Sequence, residues 1–82
     1  MPTVARIDGF KVLIYPNDHR PAHVHVIGAG KEAVFDLRCP RGPVELREDY
    51  GFSRGHMRRI QEQLNLYVAR LCTSWRNIHG ET

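Results

Sequence analysis

His23-Val24-His25-Val26-Ile27, preceded by Pro16-Asn17-Asp18-His19-Arg20-Pro21-Ala22 and followed by Gly28-Ala29-Gly30, is the stretch from which the architecture can be built outward. Valines occupy every second position, the period of a half-buried strand and not the 3.6 of a helix. Before it, Pro16 and Pro21 each restrict themselves and the residue in front, so 16–22 reads as a loop. After it, the two glycines make a turn into Lys31 to Leu37. That run alternates again, with Ala33, Phe35 and Leu37 on one face and Glu32, Val34 and Asp36 on the other. The pair is a hairpin.

Upstream, Thr3 to Ile7 reads as a short strand. Asp8-Gly9 is a two-residue hairpin signal leading into Phe10 to Tyr15. Either Phe10, Val12 and Ile14 or Lys11, Leu13 and Tyr15 face the core; pattern alone leaves both open. Downstream of the loop Cys39-Pro40-Arg41-Gly42-Pro43, Val44 to Glu48 alternates as an edge strand. Ser53 is placed to cap a helix. Met57, Ile60, Leu64, Tyr67, Val68, Leu71, Trp75 and Ile78 then recur at three- and four-residue steps, one apolar stripe about 22 residues long. His79-Gly80 supplies its stop, and Glu81-Thr82 is expected to fray. The fold expected is α+β: one domain over residues 1–82, an antiparallel sheet of four to five short strands in two hairpins, packed on one long C-terminal helix.

At 82 residues the chain lies near the lower limit for a single self-sufficient core, so a homo-oligomer or a partner protein would help it. No apolar run approaches the roughly 20 residues of a membrane span. The first residues lack the basic and apolar blocks of a secretory signal, so the expected location is cytoplasmic. There Cys39 and Cys72, too few for a zinc cage, are expected to be reduced thiols. Cys39 lies between Arg38 and Arg41, which favour a thiolate, although a lone loop cysteine is more often incidental. The net charge is +3, and only Lys11 and Lys31 among the cations are lysines. Arginine's planar fork suits phosphate and carboxylate, so an anionic partner is expected.

Three of the five histidines fall within seven residues. On a strand, His23 and His25 share a face with Cα atoms about 6.5 to 7 Å apart, and His19 in the loop can join them. With Val24 and Val26 turned to the core, both rings point to an uncovered face that water or a ligand can reach. Three readings follow. The imidazoles can simply hydrogen-bond to neighbouring strands. His19, His23 and His25 can serve as acid and base in metal-independent RNA cleavage, with Arg20 or a helix arginine stabilising the phosphorane charge. Or His19, His23 and His25, with Asp18, can hold a divalent metal. A second candidate is the helix entry, where Arg54, Arg58 and Arg59 gather at the positive end of the helix dipole and suit phosphate; a solvated basic face is the plainer alternative. No sequence-specific DNA- or RNA-reading signature is present. Trp75 reads as a core anchor that would also suit a partner interface.

Met1-Pro2-Thr3-Val4, Arg6-Ile7-Asp8-Gly9-Phe10, Asn17 to Val26, Lys31-Glu32-Ala33 and a terminal helix with Trp75 together resemble a small bacterial domain-of-unknown-function family, 4160. Its most specific feature is His-x-Pro-Pro-His-Val-His-Val; here Ala22 stands for the second proline, which leaves the histidines in place. The resemblance implies an α+β domain encoded beside a small partner protein, hence a toxin–antitoxin component. The expectation is then a toxin-like, RNA-cleaving protein using His19, His23 and His25, with Arg20, Arg54, Arg58 and Arg59 on phosphates. The rival is a non-enzymatic regulator or antitoxin-like partner that binds RNA, DNA or a cognate protein.

Overall fold

The computed structural model describes residues 3–80; the expected fraying of Glu81-Thr82 lies outside the described residues. Its elements are β1 (Thr3–Ile7), β2 (Phe10–Leu13), β3 (His23–Gly28), β4 (Lys31–Asp36), β5 (Glu45–Tyr50), α1 (Arg54–Leu66) and α2 (Val68–His79). The strands form one antiparallel sheet in the order β1-β2-β3-β4-β5, as α+β demands when each connection leads to its neighbour. Two connections are two-residue turns. Asp8 and Gly9 have φ of 52° and 82°, Ala29 and Gly30 of 50° and 74°. Positive φ at both central residues gives the turn the twist of the strands it joins.

One alternating set of side chains makes the core. Phe10, Val12 and Ile14 join Val24, Val26, Ala33, Phe35 and Leu37 in a single cluster with Met57, Ile60, Leu64, Val68, Leu71 and Trp75 from the helices. Of the two phases open for the second strand, the one through Val12 faces the helices. Full burial of each large aliphatic stabilises the domain by about 1.5–3 kcal/mol before entropy is counted.

Two elements depart from the expected pattern. The fifth strand runs Glu45–Tyr50, not Val44 to Glu48. Val44 is buried, its N–H donates to Asn65 Oδ1 at 2.7 Å, and its carbonyl accepts from Gln61 Nε2 at 3.0 Å. With its one N–H committed to Asn65 of α1, Val44 has no donor left for the ladder. The helix is likewise two helices, not one. At Tyr67 the backbone leaves helical geometry (φ −116°, ψ 12°), and its N–H bonds the Leu64 carbonyl, three residues back. Tyr67, expected on the apolar stripe, is instead 40% exposed, and the stripe resumes at Val68. Ser53 caps α1 as expected, its Oγ accepting from His56 N–H at 3.2 Å, and α2 stops at Gly80 with φ 83°.

Cys39 and Cys72 form a disulfide with Cα atoms 5.8 Å apart, where reduced thiols were expected. The bond ties the loop after β4 to α2. The pairing is non-local and depends on the helix folding back over the sheet, which residue spacing cannot reveal. Among the described residues no helix is long and apolar enough to cross a membrane.

Candidate metal centre

Because Val24 and Val26 pack beneath the helices, the alternation sends His25 to the opposite face, in register between Leu13 of β2 and Val34 of β4. His23 begins the strand opposite Asp36. The loop between β2 and β3 folds back over them through a tight turn. Tyr15 N–H donates to Asp18 Oδ2 at 3.1 Å, and Asp18 N–H donates to the Tyr15 carbonyl at 3.0 Å. This side-chain-to-backbone turn, typical of Asp, aims the carboxylate at the strand. Asp18 Oδ2 lies 3.4 Å from His23 Nε2 and 3.1 Å from His25 Nε2.

The outer ring nitrogens are held as well. His23 Nδ1 is 2.8 Å from the Pro21 carbonyl, and His25 Nδ1 is 3.3 Å from Glu32 Oε2. Each imidazole therefore faces an acceptor on both nitrogens. A neutral imidazole has one N–H. With that proton on Nδ1, toward the carbonyl and toward Glu32, both Nε2 lone pairs point at the Asp18 carboxylate. Three acceptor groups converge, and their ligand atoms all lie within 4.8 Å of one another. A proton or a metal cation placed among the three groups makes such a meeting favourable.

The walls of the cluster are aromatic. Tyr15 meets His25 edge-on at 4.6 Å between centroids, and Trp75 lies 5.3 Å from His23 with its other side stacked on His79 at 3.9 Å. Burial, then the charges of Glu32 and Asp18, push the Tyr15 phenol above its ordinary value of 10.0, so it stays a donor. The side chains of His23, Asp18 and His25 are 6%, 14% and 15% exposed. His25 thus keeps a partial opening. His23, expected to be open to water, is instead enclosed, because Trp75 reaches it from α2.

The remaining sequence candidates lie elsewhere. His19 and Arg20 are exposed on the loop, and His19 is not among the three converging residues. Arg54, Arg58 and Arg59 belong to α1, on the other side of the sheet, where Arg59 Nη1 approaches Asp8 at 4.0 Å. The sheet separates them from the histidines. Glu32, the Pro21 carbonyl and Tyr15 were not singled out by sequence. The signal for Glu32 was its place in β4, two positions from Val34, on the face that also carries His25.

Fold and site define a small α+β domain with a five-stranded meander, a helical layer on one face and a His–His–Asp cluster at the start of β3, sheltered by the β2–β3 loop and by Trp75 of α2. Residues 9–76 match the family described as "Domain of unknown function (DUF4160)", and the chain belongs to that family. No curated protein and no solved structure matches it.

Proposed function

We propose that the protein is a divalent-metal-binding domain whose ligands are Asp18, His23 and His25, and that it acts as a metal-dependent binding module, the regulator-like member of the two-protein pair its resemblance implies. The compartment in this reading is the cytoplasm, where the Cys39–Cys72 bond is open to reduction.

The observation that carries the reading is the double engagement of both rings. Metal-bound histidines characteristically give their other N–H to a carboxylate or a backbone carbonyl; here Glu32 and Pro21 supply one of each. Two of the three ligand separations, 3.1 and 3.4 Å, lie near the roughly 3.3 Å edge of a tetrahedron with metal–ligand bonds of about 2.0 Å, and all three ligand atoms lie within 4.8 Å of one another. Two imidazoles and a carboxylate suit zinc, iron(II) or manganese(II). Three protein ligands keep a position for water or for a donor from a partner, and a metal there would lower the pKa of its water.

Metal-independent RNA cleavage by His19, His23 and His25 has less support. His23 is enclosed with both nitrogens engaged, His19 is outside the cluster, and Asp18 and Glu32 place negative charge against the rings that repels phosphate. The test is elemental analysis and zinc titration of protein purified without a histidine tag. One metal per chain is expected, lost in Asp18→Ala, His23→Ala and His25→Ala and kept in His19→Ala. RNA cleavage by metal-free protein, or zinc affinity unchanged in the His25 variant, would overturn the proposal.

A further inference from the structure

Charge is divided between the two layers. Residues 53–80 hold Arg54, Arg58, Arg59, Arg70 and Arg76 against Glu62 alone, a balance of +4, whereas residues 1–52 hold seven cations and seven anions. The chain's positive excess therefore sits on the helices, and all five arginines are exposed. A cavity of about 340 Å³ opens where β1 meets the junction of α1 and α2, lined by Arg6, Asp8, Tyr67, Arg70 and Leu71 among others.

We infer that this cavity is a binding site for single-stranded nucleic acid, with Arg6 and Arg70 on the phosphodiester backbone and Tyr67 as the surface on which one base stacks. Tyr67 interrupts the helix, and the residue stays 40% exposed with the Arg70 guanidinium 5.9 Å from its ring centroid. An exposed aromatic side chain beside one arginine, with a second arginine in the same cavity lining, has the elements that hold unpaired bases without reading their sequence. The carboxylate in the lining, Asp8, lies 4.0 Å from the Arg59 guanidinium of α1, which offsets its repulsion. A duplex hides its base faces, so the occupant is single-stranded; an acidic peptide would use the arginines and leave Tyr67 idle. The cavity shares no lining residue with the Asp18, His23 and His25 cluster, so the two sites stand or fall separately.

The test is fluorescence anisotropy with a labelled oligouridylate and an oligodeoxythymidylate of the same length, titrated over a range of salt. Expected is binding that weakens with salt, and a log K against log salt slope shallower by about 1.4 in the Arg6→Gln/Arg70→Gln protein, roughly 0.7 for each phosphate no longer neutralised. Tyr67→Ala should weaken binding about 5- to 150-fold, the range of one base stacked on an aromatic ring, while Tyr67→Phe should bind as the parent does. Circular dichroism melts establish that the variants are folded; if Tyr67→Ala unfolds, Tyr67→Lys and the arginine variant carry the comparison. A twofold or greater preference between the two oligomers shows which sugar is favoured and supports the inference either way. Absence of binding at low salt, indifference to removal of the Tyr67 ring, or displacement of the oligomer by polyglutamate as readily as by unlabelled strand would overturn it.

Discussion

Reduction of the Cys39–Cys72 bond should lower the melting temperature substantially. The bond joins residues 33 positions apart, and closing a loop of that length in the unfolded chain is worth about 3 to 4 kcal/mol. For a domain of this size each kcal/mol moves Tm by about 4–8 °C, so the shift should be about 15 to 25 °C. Comparing the oxidised and reduced parent protein keeps every side chain the same, which a serine substitution at buried Cys72 would not. Cys39 is exposed, so a thiol reductant can reach it. The loop is separately pinned by Val44 to Asn65 and Gln61, and the native structure around it should persist on reduction. Far-UV circular dichroism melts with parallel free-thiol titration measure the effect. Two free thiols in the folded oxidised preparation, or a Tm change below about 5 °C on reduction, would refute the reasoning.

Other consequences follow from single contacts. Asn65→Ala leaves the buried Val44 N–H without its 2.7 Å acceptor, and denaturant unfolding should show a loss of about 1–3 kcal/mol. Glu32→Gln leaves the three ligands in place but weakens the acceptor on His25 Nδ1; zinc affinity, read by chelator competition, should fall about 10- to 100-fold. The Tyr15 phenol, raised by burial and by Glu32 and Asp18, should ionise above its ordinary value in an ultraviolet titration. Its proton is held more tightly in the folded state, so its stabilising contribution is complete below pH 10 and declines as pH rises through the folded value. Stability that increases from pH 10 upward would contradict the assignment.

The sheet was legible because its determinants are local. Alternation at Val24 and Val26 and at Ala33, Phe35 and Leu37, with turn residues at Asp8-Gly9 and Gly30, placed four strands and turned Val24 and Val26 to the core, while the phase of β2 stayed open until the helices packed on Val12. What sequence left unread depends on residues distant along the chain. Val44 fits a strand pattern until α1 takes its backbone groups. Tyr67 fits the helical stripe, and its departure shows only once Leu64 and Val68 are both packed on the sheet. Cys39 meets Cys72 only across the folded layer. In the site, the histidine pair was visible from its period, but His19 was ranked with the pair and Asp18 only as an optional addition. The choice between neighbours on one loop is made by the hydrogen bonds between Tyr15 and Asp18, which turn the carboxylate inward. Enclosure of His23 likewise needs Trp75, fifty-two positions later in the chain.

Nitrogen-15 NMR of the histidine rings, recorded as zinc is added to the metal-free protein, addresses the ligand set atom by atom. Nε2 of His23 and His25 should move together and saturate at one zinc per chain, with Nδ1 of both protonated throughout and both His19 nitrogens unmoved. Zinc-dependent shifts at His19, or none at His23 and His25, would contradict the account.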